Sequence, residues 1–336
     1  MEKSLKTLKH SEIIEPGSKY KPLKRYDYDM NVYEKWVELK CQNPPKRRSY
    51  HVSFIHKDFL YILGGIDLKE GRISDISCLS LNFADEIKWK NQEVTGDIPE
   101  PLSDHSGVLV EDNFYLFGGE SEFGETKNTL YKLNLITFIW EKKNFPLTTI
   151  IELSNHTCSY YKENKSLVIF GGYNNGKYVY DIYTYKIKEE EWNKIEIDLN
   201  SKNVPEGRIK HSANIIDDYM YVYGGQNVDG NYLSDLWKFD LLNSKWQQII
   251  YNNLSPDDIP LGRSGHSSIY NSKDHSLYIF GGKVSHAQER NELWKFDIND
   301  KQFKLIHDTL LEMESDFPPR SMDIHKIKQS ILYYNI

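Results

Sequence analysis

Paired glycines recur at a nearly fixed interval along this chain of 336 residues. Each pair ends a short apolar run, as in Tyr61-Ile62-Leu63-Gly64-Gly65, and the first glycines of successive pairs are 54, 53, 53 and 57 residues apart. The five pairs are Gly64-Gly65, Gly118-Gly119, Gly171-Gly172, Gly224-Gly225 and Gly281-Gly282. A fixed period of about 50 residues marks a repeat architecture. Residues shared by every repeat are therefore expected to be structural, and function is expected where the repeats differ.

A large aromatic residue follows each glycine pair by 20 to 24 residues. These aromatics are Trp89, Trp140, Trp192, Trp246 and Phe303. Before each lies a segment such as Leu236-Trp237-Lys238-Phe239-Asp240, in which apolar and polar residues alternate as in a half-buried strand. Each repeat then contains four short strands, here called a, b, c and d, with the glycine pair after strand b and the aromatic opening strand d. Such units predict the blades of a β-propeller.

The whole pattern resembles the kelch-repeat family, and the resemblance covers nearly the entire chain. It is carried by the glycine pair after an apolar run, the aromatic residues that follow, and two phrases of the repeat. These phrases are Arg-x-x-His before strand a and Leu-Trp-x-Phe-Asp in strand c. They are most similar to the larger kelch subgroup that includes leucine-zipper-like regulators and the Rab9-effector type. The resemblance implies a propeller that is usually built for binding.

The two ends of the chain contain the halves of one further blade. Residues 25–39, with Trp36 in the aromatic position, have the pattern of strands c and d. Residues 318–334 have the pattern of strands a and b. Pairing the terminal strands would close the ring and remove an exposed sheet edge. We therefore predict an all-β, six-bladed propeller over residues 21–336, preceded by an extension of residues 1–20.

Composition narrows the function classes. A net charge of −7 argues against general nucleic-acid binding. No apolar stretch approaches the roughly 20 residues of a membrane helix, and Met1–Lys9 has no hydrophobic signal core. Cys41, Cys78 and Cys158 form no paired motif, as in proteins of a reducing compartment. The expectation is a cytoplasmic protein without membrane insertion.

The residues that recur from repeat to repeat are candidates for a chemical role as well as for a structural one. Five histidines occupy the start of strand a: His51, His105, His156, His211 and His266. One ligand per blade around a ring would not converge to the roughly 2 Å that zinc requires, so no metal site is predicted. We expect each histidine to hydrogen-bond to a neighbouring loop or blade. The aromatic series is expected to pack between blades, and the glycine pairs are expected to allow sharp turns.

Catalytic motifs are absent from the sequence. It contains no His-x-His, Cys-x-x-Cys, nucleophile elbow or phosphate-binding loop. No catalytic residue and no cofactor is therefore predicted, and the chain is expected not to be an enzyme. Two alternatives stay open: a metal- or radical-dependent enzyme of the galactose-oxidase-like propeller type, and an actin-binding structural protein.

The d–a connections and the b–c loops of an antiparallel blade must open on the same face. Arginines occur on that face three residues before the histidine position: Arg48, Arg208, Arg263 and Arg320. Leu102 and Leu153 replace them in two repeats. The kelch resemblance implies that such arginines grip acidic partner peptides, whereas a structural interpretation pairs each with a neighbouring carboxylate or carbonyl.

The b–c loops differ in every repeat, as expected of recognition loops on a rigid frame. Tyr173 and Tyr178 are predicted contact anchors, because tyrosine offers a large contact area at low entropic cost. Arg72 and Arg290 are predicted to supply charge at the rim. We therefore predict a scaffold or adaptor that binds a protein or peptide with an acidic segment through the d–a and b–c face.

Overall fold

Each glycine pair of the chain ends the second strand of a four-stranded antiparallel sheet in the computed structural model. The structure describes residues 39–82, 87–146, 150–197 and 203–307. Within these ranges five such sheets, or blades, follow one another along the chain, each with its strands in the order a-b-c-d. The described residues therefore form five blades rather than the predicted six. The segments assigned to the sixth blade, residues 25–38 with Trp36 and residues 318–334 with Arg320, lie outside the described residues.

The strand bounds repeat closely from blade to blade. Blade 1 comprises Val52–His56, Phe59–Leu63, Ile76–Ser80 and Trp89–Asn91. Blade 2 comprises Ser106–Val110, Asn113–Phe117, Leu130–Asn134 and Ile139–Lys143. Blade 3 comprises Thr157–Tyr161, Ser166–Phe170, Ile182–Lys186 and Glu191–Ile195. Blade 4 comprises Ser212–Ile216, Tyr219–Tyr223, Leu236–Asp240 and Lys245–Ile249. Blade 5 comprises Ser267–Asn271, Ser276–Phe280, Leu293–Asp297 and Gln302–His307.

Aromatic side chains pack the blades against one another. The aromatic that opens strand d contacts the last residue of strand b in the preceding blade. Ring centroids are 5.1 Å apart for Phe117 and Trp192, and 5.1 Å apart for Phe170 and Trp246. Strand b is an inner strand of its sheet, and both of its faces are covered by neighbouring blades. All five residues of Ser166–Phe170 are therefore buried. The core is thus a series of layers between blades rather than a single cluster.

Glycine is required at the end of strand b because the next blade approaches too closely for a side chain. A Cβ on Gly118, at φ +63°, would lie 2.4 Å from the carbonyl oxygen of Leu153 and 2.7 Å from Cε1 of His156. The histidine of each following blade therefore packs where the glycine leaves space. This contact explains why the glycine pair and the histidine repeat together.

The outer edges of the blades are covered by the connection that arrives from the preceding blade. Thr95–Gly96 adds a short parallel strand to the outer strand of blade 2. Gln42 makes a parallel bridge to Lys88 beside blade 1. Asn253 exchanges hydrogen bonds with the backbone of Phe303 at the edge of blade 5. Such cover blunts edges that could otherwise pair with another chain.

The d–a connections and the b–c loops meet on one face, as the antiparallel topology requires. In each blade a residue of the d–a connection bridges to the residue that follows the glycine pair. The bridges are Ser49–Ile66, Ser103–Glu120, Ser154–Tyr173, Ile209–Gln226 and Ser264–Lys283. Short hairpins then complete the b–c loops, namely Ile66–Asp67 with Gly71–Arg72, Tyr173–Asn174 with Lys177–Tyr178, and Lys283–Ser285 with Gln288–Glu289. The only helical element in the described ranges is the 3-10 turn Pro256–Asp258 between blades 4 and 5. These ranges contain no helix long and apolar enough to span a membrane.

Candidate functional site

The centre of this face is a ring of backbone hydrogen bonds that joins successive blades. It is formed by the residues that directly precede the repeated histidines, here called the mouth ring: Tyr50, Asp104, Asn155, Lys210 and Gly265. Each member after Tyr50 donates its amide to the carbonyl of the preceding member, and the four bonds are 3.2, 2.8, 3.1 and 2.7 Å long in chain order. All five have positive φ, between 53° and 64°. The ring fixes five side chains of different chemistry on one rigid frame.

One side chain of the mouth ring crosses the opening. Lys210 of blade 4 places its Nζ 3.2 Å from the hydroxyl oxygen of Tyr50 in blade 1. The same ammonium group lies 4.4 Å from the centroid of the Tyr50 ring, a cation–π contact. The opening is therefore narrow enough at this level for one lysine side chain to reach from blade to blade.

Large apolar side chains project from the tips of the b–c loops. Leu68 in blade 1 is 96% exposed, Phe123 in blade 2 is 89% exposed, and Val228 in blade 4 is 68% exposed. Single exposed apolar residues are common on protein surfaces. Here, however, three of the five described b–c loops present one, and these loops belong to the same face, as expected of a contact surface.

The two tyrosines predicted as anchors face each other across the hairpin of blade 3. Tyr173 pairs with Tyr178 in register, and their rings meet edge to face with centroids 6.1 Å apart. Both side chains are half-buried, so each keeps an accessible surface. Tyr173 also bridges to Ser154 of the d–a connection, which places this pair one step outward from the mouth ring.

The two loop arginines have different partners. Arg72 contacts the carboxylate of Glu120, donates from Nε to the Ser103 hydroxyl at 3.1 Å, and donates to the Glu122 carbonyl at 3.4 Å. It therefore ties the b–c loop of blade 1 to that of blade 2. Arg290 lies 3.6 Å from Glu292 within blade 5. Both arginines are half-buried on this face.

The three repeat arginines in the described residues are buried, as the structural interpretation of the sequence expected, and are not available to grip a partner peptide. Arg48 is 3% exposed, and Arg208 and Arg263 are fully buried. Arg208 donates to both carboxylate oxygens of Asp235, at 2.8 and 2.9 Å, and to the Gly224 carbonyl at 3.0 Å. These bonds use the guanidinium within its own blade, so they hold the loop rather than a ligand.

The other two repeat arginines in the described part of the chain are held in a similar way. Arg263 donates to Glu292 at 2.7 Å and to the Gly281 carbonyl at 2.9 Å, and Arg48 pairs with Asp75 at 2.5 Å. Although burial alone would raise the pKa of Glu292, the charge of Arg263 holds it below its usual range. The accepting carboxylate is always the residue before strand c. That position is acidic in each repeat that carries the arginine, a regularity visible in the sequence.

The repeated histidines are buried between blades rather than exposed to the opening. His211 and His266 hydrogen-bond through Nε2 to hydroxyls of the preceding blade, Thr157 at 3.1 Å and Ser212 at 2.9 Å. Burial lowers the pKa of His156 to about 3, with a further contribution from His105. Burial, together with the nearby charge of Arg263, lowers the pKa of His266 to about 3. These histidines are neutral packing groups, and no cluster of potential metal ligands occurs within the described ranges.

Comparisons with known proteins agree with this geometry. A family profile described as the KLHDC2/KLHL20/DRC7 Kelch-repeats domain matches residues 17–151 and, overlapping them, 104–258. Host cell factor homolog hcf-1 of Caenorhabditis elegans is 27% identical over 278 residues, which are 75% of this chain and 34% of that protein. The leucine-zipper-like transcriptional regulator 1 homolog of Drosophila melanogaster is 27% identical over 210 residues, 61% of this chain and 21% of that protein.

A third relative is covered more fully. Kelch domain-containing protein 3 of Bos taurus is 26% identical over 263 residues, 69% of this chain and 65% of that protein. The chain thus spans between about a fifth and about two thirds of the length of these relatives.

Proposed function

The chain belongs to the kelch-repeat family, and from this premise we propose that it is a non-catalytic scaffold or adaptor that binds a protein or peptide segment. The binding face is the one where the d–a connections and b–c loops meet, with the mouth ring at its centre. The observation that carries the proposal is the contrast between a constant backbone and variable side chains. Hydrogen bonds and bridges repeat in every blade, while the side chains that they hold differ.

The contact residues of this proposal are the exposed tips and the half-buried aromatics. Tyr173 and Tyr178 supply broad, rigid contact area. Arg72 and Arg290 supply charge at the rim, and Arg72 also keeps two neighbouring loops in place. The acidic partner expected from the sequence depended on the repeat arginines. Because Arg208 and Arg263 are buried and paired, that expectation is not part of the proposal.

Ring closure is part of the same proposal. We propose that residues 25–39 and 318–334 supply the sixth blade between blades 5 and 1, with Arg320 in the same position as Arg263, and that the protein works in the cytoplasm. A paired cysteine variant that joins the two terminal segments tests this closure. Efficient disulfide formation that raises the unfolding temperature would support it, and failure of the two segments to cross-link would count against it.

The binding face is tested by two substitutions in one blade. Val228 and Leu242 of blade 4 are both 68% exposed, but Val228 lies in the b–c loop and Leu242 in the turn between strands c and d, on the opposite face. Val228→Asp and Leu242→Asp are therefore a matched pair with the same expected effect on folding. Both are compared with the wild-type protein by quantitative affinity capture from the source cell, after thermal unfolding has confirmed that each is folded.

A partner that Val228→Asp loses and Leu242→Asp retains supports the proposed face. The reverse result would place the partner on the opposite face and contradict the proposal. Phe123→Asp and Ile136→Asp repeat the comparison in blade 2, where the two side chains again lie in the b–c loop and in the c–d turn.

A further inference from the structure

Charge is unevenly distributed over the proposed binding face. We define the acidic sector as the d–a and b–c segments of blades 2 to 4, which are residues 99–105, 118–129, 150–156, 171–181, 205–211 and 224–235. It contains ten carboxylates and four basic side chains, a net charge of −6. The corresponding segments of blades 5 and 1, residues 260–266, 281–292, 45–51 and 64–75, contain five carboxylates and eight basic side chains, a net charge of +3.

The charge of the acidic sector is accessible. Its carboxylates Glu122, Glu152, Glu206 and Asp229 are exposed and form no ion pair with any residue in the described ranges. Most of its basic groups are engaged: Arg208 with Asp235, Lys127 with Glu100 and Glu125, and Lys210 with Tyr50. At physiological ionic strength, exposed charges act over a Debye length of about 8 Å, so a ligand on this sector responds chiefly to the carboxylates of blades 2 to 4.

The same sector carries a continuous set of apolar contact groups. Phe123 in blade 2, Tyr173 and Tyr178 in blade 3, and Val228 in blade 4 follow one another around the mouth. An acidic surface with exposed aromatic and aliphatic groups complements a segment in which basic residues stand beside apolar ones.

Lys210 indicates that a cation is accommodated at the mouth. Its ammonium group rests on the ring of Tyr50 in blade 1, and Asp104 of the acidic sector is the next member of the mouth ring. Asp104 is held in turn by the Ser103 hydroxyl at 2.9 Å. A lysine or arginine from a partner would find the same aromatic face when Lys210 moves aside.

We propose that the acidic sector binds a partner segment that carries lysine or arginine next to aromatic or aliphatic residues, with one cationic side chain replacing Lys210 over Tyr50. The inference rests on the proposed function and adds the chemistry of the partner. It reverses the acidic partner that the repeat arginines suggested, since those arginines are neutralised inside the blades.

The test begins with the full chain and a phage-displayed library of random peptides of about a dozen residues. Selected sequences are compared with the unselected library for their content of basic and acidic residues. Representative peptides are then synthesised, and their affinity is measured by fluorescence anisotropy for the wild type and for Glu122→Lys/Asp229→Lys. The matched control is Glu163→Lys/Glu189→Lys, which makes the same charge change at exposed carboxylates of the opposite face.

The proposal expects selected peptides enriched in lysine and arginine. The Glu122→Lys/Asp229→Lys protein should bind them about three- to tenfold more weakly, with the control unchanged. Lys210→Met should tighten their binding, because the competing ammonium group is removed. Enrichment of acidic peptides, or equal affinity for both charge-reversed proteins, would overturn the inference.

Failure of the inference is distinguishable from failure of the proposed function. Peptides that lose binding to Val228→Asp but keep it with Leu242→Asp, without a preference for basic residues, would support the binding face and refute its charge preference. Peptides that bind equally to both of those variants, or a library without binders, would count against the proposed function itself.

Discussion

Blades 1, 4 and 5 fill one buried position with an arginine, whereas blades 2 and 3 fill it with a leucine. Arg48, Arg208 and Arg263 meet a carboxylate on the residue before strand c. In blade 2 the residue before strand c is Thr129, which has no carboxylate, and Leu102 fills the arginine position. In blade 3 the residue before strand c is Asp181, and its carboxylate pairs with Lys194. All five side chains are buried. The comparison teaches that this position needs a buried side chain of sufficient size and no unpaired charge, and that a positive charge is not itself required.

Placing an arginine in blade 2 should have the largest effect. Leu102→Arg introduces a buried charge where Thr129 offers no carboxylate, so we expect a loss of at least about 5 kcal/mol in the free energy of unfolding. Leu153→Arg in blade 3 has Asp181 in the accepting position and should lose about 2 kcal/mol less. Urea unfolding followed by tryptophan fluorescence measures both. Equal losses would mean that steric overpacking, not charge balance, governs this position.

Removing an arginine from blade 4 should have a slightly smaller effect. Arg208→Leu leaves Asp235 without its partner and should lower the free energy of unfolding by about 3–5 kcal/mol. The triple variant Arg208→Leu/Asp235→Thr/Trp237→Tyr copies the residues of blade 2. It also removes the Trp237 indole, which donates to Asp235 at 2.6 Å.

We expect this triple variant to recover stability to within about 1–2 kcal/mol of the wild type, since no buried charge is left unpaired. Equilibrium unfolding of the single and triple variants under the same conditions is the measurement. A triple variant as unstable as Arg208→Leu would show that blade 4 depends on the ion pair itself.

These residues also show how far sequence reasoning reaches. The all-β fold and the four-stranded blades were predictable, because glycine pairs such as Gly118-Gly119 and aromatics such as Trp140 recur in register. The predicted count of six blades was not met, since the described residues form five. For Arg208 the sequence left two interpretations open, because it does not show whether the guanidinium turns inward or towards a partner. The available signal for the inward orientation was the acidic residue before strand c in each described repeat that carries the arginine, although blade 3 also has Asp181 there.

The mouth ring could not be predicted from residue types. Tyr50, Asp104, Asn155, Lys210 and Gly265 share no chemistry; they share a positive φ and a backbone hydrogen bond. Such a feature arises only when separate blades are brought together, so alternation and spacing along one strand do not reveal it. The contact between Lys210 and Tyr50, 160 residues apart, arises in the same way.

The arginine blades and the leucine blades can also be compared through the pH dependence of stability that their buried histidines cause. His266 lies near Arg263 and His156 lies in a leucine blade, yet burial is the main cause of the lowered pKa in both. A buried neutral histidine stabilises the fold above its unfolded pKa of about 6.5, and this stability is lost as the pH falls towards 3. Because of this effect, His156 and His266 should each make the free energy of unfolding about 2 kcal/mol smaller at about pH 5 than at about pH 7.

His156→Gln and His266→Gln are expected to flatten the dependence of stability on pH by the same amount. Unfolding by urea at a series of pH values gives the slope for each variant and for the wild type. A clearly greater flattening for His266→Gln would show that Arg263, rather than burial, dominates in the arginine blades.

The smallest effect is expected at an arginine of the loops. Arg72 has as many polar partners as Arg208, but its side chain keeps 11% exposure where that of Arg208 has none, and it pairs with the half-buried Glu120. Because water can replace those bonds, Arg72→Ala should lower the free energy of unfolding by about 1 kcal/mol or less. Its main consequence should be greater freedom of the loops of blades 1 and 2, measured as faster amide hydrogen exchange there. A loss as large as that of Arg208→Leu would mean that loop arginines and repeat arginines are equally structural. The distinction between frame and recognition surface would then have to be drawn elsewhere.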